Sequence, residues 1–243
     1  NASLLTKNHI ELFKSLPPNN ISVTIYGTCE EEYCNFTGDG KNFYRVMRAL
    51  ELLRENNFKF FLRTVAAKNF EQSLRSGRFE KLAEKFGVDF RYDPIIFPKT
   101  SGEKSPLNEC LDVEQIIQLE RENPLRNNAW KKILHENAPF SWKCKAGINS
   151  MAIDYKGDAF VCGLYRTEPL SFLRNDMETI LNHLRKIHEQ NVEIIATNYC
   201  SRCNLRRICK WCPAYSLIYN QNETEKVKFF CDLAKARLKT FGD

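Results

Sequence analysis

Cys200-Ser-Arg-Cys203-Asn-Leu-Arg-Arg-Ile-Cys209-Lys-Trp-Cys212 places four thiols at the spacing C-x2-C-x5-C-x2-C. The gaps are too short to hold helices or strands joined by ordinary loops, so the run reads as a ligand set. The turn inside a C-x2-C pair can aim both sulfurs at one ion or one cluster. Structural zinc sites usually separate their pairs by about 12 to 20 residues, which gives the chain room to fold between them. A gap of x5 is tight for that and closer to iron-sulfur ligation, where a larger inorganic core lets thiolates approach from several sides.

The whole chain bounds the reading. Its 243 residues suffice for one large domain or one and a half smaller ones. No apolar run is long enough to span a membrane, and the opening Asn1-Ala-Ser-Leu-Leu-Thr-Lys7 lacks the basic-then-apolar order of a signal peptide. A cytoplasmic protein with no membrane partner is expected. Thiols stay reduced there, so the 10 cysteines argue for metal or redox chemistry rather than a disulfide framework. The net charge of +6 is spread along the chain without a basic block, which argues against a nucleic-acid partner.

Thr6 caps an expected helix through Leu16, and Ile21 to Gly27 reads as a mostly buried strand. A loop with Gly38 and Gly40 leads to a helix over Lys41 to Glu55. Phe58 to Val65 and Asp89 to Phe97 are the next strands, with a helix from Glu71 to Phe86 between them that Gly77 weakens. This alternation implies parallel strands with helices packed outside, an α/β barrel or open sheet. Lys99 to Asn108 reads as a linker, and Asp112 to Glu136 as a helix interrupted at Pro124. From Trp142 the pattern changes to a cysteine-rich half: a hairpin at Tyr155-Lys-Gly-Asp158, a helix over Asn175 to Gln190 and a terminal helix over Glu223 to Lys239. The division falls at 1-136 and 137-243.

The second half carries Cys144-x12-Gly157-x4-Cys162, then the quoted run, then Cys231. Gly157 allows a turn that returns Cys162 beside Cys144. Seven thiols fit one zinc poorly and two clusters well. The arrangement resembles the SPASM domain, the twin-cluster extension of radical SAM peptide and protein maturases. Cys209-x2-Cys212 is one residue shorter than that motif's commonest form. Ile21 to Gly27 with Glu31, Tyr33 and Thr37-Gly38 looks like the fourth strand and following turn of a radical SAM barrel. Phe60 to Asn69 and Phe90 to Pro98 look like the fifth and sixth strands.

The resemblance implies the C-terminal part of a partial (β/α) barrel followed by a small cysteine-rich α+β domain. It implies that Cys200, Cys203, Cys209 and Cys231 ligate one auxiliary 4Fe-4S cluster and that Cys144, Cys162 and Cys212 hold another. Thr24 and Thr64 are the implied contacts to S-adenosyl-L-methionine. The implied partners are a peptide or protein substrate and an external electron donor such as flavodoxin or ferredoxin. Peptide thioether cross-linking and sulfatase maturation are both outcomes within that family. The family's C-x3-C-x2-C signature for the SAM-cleaving cluster is absent from this sequence. The expectation is therefore a missing upstream portion, with S-adenosyl-L-methionine and a third 4Fe-4S cluster belonging to the complete enzyme. A zinc-binding interaction module is the competing reading. Arg202, Arg206, Arg207 and Lys210 fit either charge compensation near clusters or solvated surface cations. Cys29, Cys34 and Cys110 fit no ligand pattern.

Overall fold

The β-branched run that opens the first strand forms β1 (Ile21–Thr24), which pairs in parallel with β2 (Phe60–Val65), itself parallel to β3 (Phe90–Asp93). The computed structural model describes residues 1–136, 144–209 and 211–242. Expectations for Asn137 to Phe140, Trp142 and Lys210 lie outside the described residues. By contacts the chain separates into two units: 1–96 with 109–122, and 97–108 with 123 onward.

In the first unit α1 (Lys7–Ser15) starts after Thr6, as expected. α2 (Glu30–Thr37) occupies the stretch read as a loop, and α3 (Lys41–Glu55) follows. Three glutamates in its first turn favour α2 through the helix dipole, and Gly38 ends it at φ +79°. In α3 the buried Val46, Ala49, Leu50 and Leu53 recur at helical spacing and form one apolar stripe. The helix expected over Glu71 to Phe86 is two helices, α4 (Glu71–Arg75) and α5 (Arg78–Phe86), broken where Gly77 adopts φ +70°. Phe79 of α5 stacks on Phe90 with ring centroids 5.3 Å apart, which places the helix layer on the Phe90 face of the sheet.

Strand alternation then assigns the two faces. Val23, Leu62, Thr64 and Tyr92 are buried toward the helices, whereas Thr24, Arg63 and Asp93 share the other face. All three strands are shorter than the sequence suggested. Their predicted ends include Tyr26-Gly27 and Ile95 to Phe97, which continue the chain without ladder pairing.

Pro124 divides the long charged helix into α6 (Val113–Glu122) and α7 (Pro124–His135), with the Asn123 side chain capping the second. α7 was read from sequence as part of the first half, but its contacts lie in the second unit. The guanidinium of Arg237 sits 4.1 Å from the Trp130 ring centroid, and Arg207 Nη2 donates to the Ile133 carbonyl at 2.6 Å.

The rest of the second unit holds an antiparallel sheet of β4 (Ala152–Ile153), β5 (Asp158–Phe160) and β6 (Leu170–Ser171). Gly157 turns the β4–β5 hairpin at φ +80°. α8 (Met177–Thr197) is longer than expected and packs Ile180, Leu184 and Ile187 against Ala159, Val161 and Tyr165. α9 (Arg206–Cys209), α10 (Pro213–Asn220) and α11 (Lys228–Phe241) complete the chain. Among the described residues no helix is long and apolar enough to cross a membrane.

Candidate functional site

The seven cysteines singled out from sequence all lie in the second unit, where short helical turns present several of them. Asn198 follows the last turn of α8 and fixes the first pair. Its side chain accepts the Cys200 N–H at 2.8 Å and donates to the Thr224 carbonyl at 2.6 Å. A tight turn over Tyr199–Arg202 then closes with the Cys203 N–H on the Cys200 carbonyl at 3.3 Å. α9 presents Cys209, and the first turn of α11 presents Cys231.

These four cysteines line one cavity of about 420 Å³, walled on its apolar side by Leu205 and Trp211. Trp211 is 1% exposed, and its indole N–H donates to the Glu225 carbonyl at 2.9 Å. A large ring is therefore pinned against the thiols, excluding water on that side. Burial pushes the Cys209 thiol up to about 11 and raises Cys200 as well; Cys231 is a charged neighbour of both.

Cys212 belongs elsewhere although it is close to Cys209 in sequence. It is the N-cap of α10, with Pro213 at the first helical position. Burial pushes its thiol up to about 12, with the neighbouring Cys162 and Cys144 acting in the same direction. Cys162 in turn accepts the Tyr165 N–H at 3.2 Å. Between Cys144 and Cys162 the chain bends at two positive-φ glycines, Gly147 (φ +85°) and Gly157 (φ +80°). Cys29, Cys34 and Cys110 lie in the first unit; Cys110 donates to the Ile96 carbonyl at 3.5 Å and joins neither group.

Metal ligation requires thiolates. Burial raises Cys200, Cys209 and Cys212, so taking up a metal at these three must release protons and strengthens as pH rises. Among the described residues no three His, Cys, Asp or Glu side chains converge as a single ion requires. Zinc would need four ligands at about 2.0 to 2.3 Å. Four thiols spread round a cavity suit a wider inorganic core, which iron-sulfur clusters supply. The donor set of the first group therefore fits a four-iron cluster.

The first unit places the two threonines apart. Thr24 lies beside Arg63 in register on the face away from the helices, where Arg63 pairs with Asp93 at 2.9 Å. Thr64 is fully buried on the helix-covered face, and its hydroxyl donates to the Val65 carbonyl at 3.4 Å. The signal for this was in the sequence: Arg63 and Thr64 are adjacent, so the face that accommodates the arginine excludes the threonine. Arg91 stacks over Phe61 at 4.5 Å. After β1, Glu32 of α2 is the acid that bonds back to the chain. Glu32 accepts from the Thr28 N–H at 2.5 Å and hydroxyl at 3.0 Å, and also from the Ser73 hydroxyl.

No protein-family model matches the sequence. The chain is similar to the AdoMet-dependent heme synthase of Methanosarcina barkeri, with 23% identity over 246 residues, covering 88% of this chain and 68% of that protein. Among solved structures it is similar to native anSMEcpe with bound AdoMet, at 16% identity and a TM-score of 0.67, covering 99% of this chain and 70% of that one. It is also similar to anSMEcpe with AdoMet and the Kp18Cys peptide, at 16% identity and a TM-score of 0.63, covering 99% of this chain and 71% of that one. The chain accordingly has an α/β fold of the radical SAM type, part of a (β/α) barrel followed by a small cysteine-rich α+β unit.

Proposed function

We propose that this chain forms the cluster-bearing part of a radical SAM enzyme with a SPASM-type domain, acting on a ribosomally made peptide or protein. Cys200, Cys203, Cys209 and Cys231 would hold one four-iron cluster, and Cys144, Cys162 and Cys212 another. The observation that carries the reading is the cavity lined by the first four thiols. When bound, the clusters and AdoMet supply one-electron transfer and the initiation of radical chemistry. The chain's own residues do the rest: thiols ligate, Trp211 keeps water from one side, and Thr24 beside Arg63 offers a hydroxyl and a cation on the face away from the helices. The AdoMet contact proposed is Thr24; Thr64 would have to act from beneath the sheet.

The peptide assignment draws on the anSMEcpe structure that holds a Kp18Cys peptide. The likeness to a heme synthase favours a second substrate class, a heme-type tetrapyrrole. Quenching of tryptophan fluorescence by a tetrapyrrole but not by a cysteine-containing peptide would select that class.

The cluster reading is tested by anaerobic reconstitution with iron and sulfide, followed by metal and sulfide analysis. About eight iron and eight sulfide per chain, with a brown absorbance, are expected from two four-iron clusters. Stoichiometric zinc without sulfide, in colourless protein, would establish the zinc module instead.

A further inference from the structure

The four cations of the cysteine run do not behave alike. Arg202 is exposed, and Arg207 is tied to the Ile133 carbonyl. Arg206 is 2% exposed and lines the cavity of the four thiols. Its Nη1 donates to the Trp211 carbonyl at 2.5 Å, and its guanidinium lies 5.7 Å from the Trp211 ring centroid. That carbonyl belongs to the peptide bond that leads into Cys212, while Cys209 sits on Arg206's own helix, α9. One guanidinium therefore fastens the place where the chain leaves one thiol group and enters the other. Burial disfavours its charge most, and Cys209 and Cys212, then Cys200 and Cys203, act in the opposite sense.

We propose that Arg206 is a positioning and charge-compensating residue shared by the two thiol groups, and that it sets the reduction potentials of both clusters together. The proposal rests on the reading that each group holds an iron-sulfur cluster. Burying a guanidinium is costly unless negative charge lies close by. Arginine keeps its charge under such burial, and a lysine at the same place, beside a negatively charged cluster, would keep its own while losing the bond to the Trp211 carbonyl. Reduction adds an electron to a cluster, so a fixed neighbouring cation favours the reduced form and raises the potential. A cation between two groups acts on both. The Trp211 carbonyl bond keeps it there, because a free side chain would swing to solvent.

The test is a redox titration of the anaerobically reconstituted full chain, following each cluster by electron paramagnetic resonance. Arg206→Gln should shift both midpoint potentials negative by at least tenfold in the reduction equilibrium, which is about 59 mV for one electron. Arg206→Lys should shift them less, and Arg207→Gln should move neither. Unchanged potentials in Arg206→Gln, or a shift in one cluster alone, would overturn the shared role. Should Arg206→Gln take up no iron, Arg206→Lys decides. Loading of both clusters supports the charge role, and failure to load despite the retained charge leaves a brace alone and overturns it. A wild-type chain that binds no iron and sulfide would instead sink the cluster reading, before any variant is compared.

Discussion

Cys200→Ala is expected to remove about half of the iron bound by the reconstituted chain, roughly four atoms, and leave the rest in place. Cys200 sits in a turn held by Asn198 and faces the cavity shared with Cys203, Cys209 and Cys231. Three thiols would remain, as many as the Cys144 group offers, but the one removed is the buried member whose turn Asn198 holds, which leaves the core open to solvent and to loss. The second group is insulated from the change because its anchor, Cys212, is fixed by the start of α10 and acts with Cys162 and Cys144. Iron analysis and the visible spectrum of the purified variant check this. Loss of all iron, or of none, would show that the two groups are not separate sites.

The second large effect concerns two glycines that share a left-handed conformation and differ in what surrounds them. Gly147 has φ +85°, and a Cβ there would stand 2.5 Å from Val161 Cγ2 and 2.6 Å from the Leu184 carbonyl oxygen. The carbonyl belongs to α8 and cannot step aside. Gly147→Ala should therefore cost about 3 kcal/mol or more, combining left-handed strain with overpacking. It should also deplete the iron of the Cys144 group first, because Gly147 shapes the loop that follows Cys144. Gly157 has φ +80°, but its Cβ would meet the side chain of Leu173, which is exposed. Gly157→Ala should cost about 1 kcal/mol, the backbone effect alone. Urea unfolding of the metal-free variants gives both values. Equal losses for the two would mean that packing at Val161 and Leu184 is looser than described.

Much of this was legible from residue patterns. The β-branched run at Ile21 and the spacing to Phe60 and Phe90 gave three parallel strands, because alternating strand and helix periods leave few other arrangements. Gly77 and Pro124 marked helix breaks that the structure contains. The cysteine spacings marked a ligand-bearing half, while the division of its thiols into two sets is what the resemblance implies; the structure shows Cys200, Cys203, Cys209 and Cys231 lining one cavity. What escaped the sequence has physical reasons. α2 has a single buried residue, Tyr33, so it carries almost no apolar periodicity and depends on its acidic first turn and Gly38 cap. α10 begins at Cys212-Pro213 and was hidden inside the ligand run, although proline at the first helical position is a recognised start signal. The two-residue strand β6 exists through pairing with β5 rather than through its own sequence. The face of Thr64 was legible from its neighbour Arg63, whereas the place of Thr24 beside Arg63 follows from register, which tertiary packing sets.

The central claim is that the seven cysteines form two independent iron sites rather than one. The most direct test compares paired variants by iron and sulfide content after anaerobic reconstitution. Cys200→Ala with Cys231→Ala removes two thiols of one group, and should lose no more iron than Cys200→Ala alone, leaving about four atoms. Cys200→Ala with Cys212→Ala strikes both groups and should leave almost none. If the first pair emptied the chain of iron, or the second retained half of it, the division of the thiols into these two groups would be contradicted.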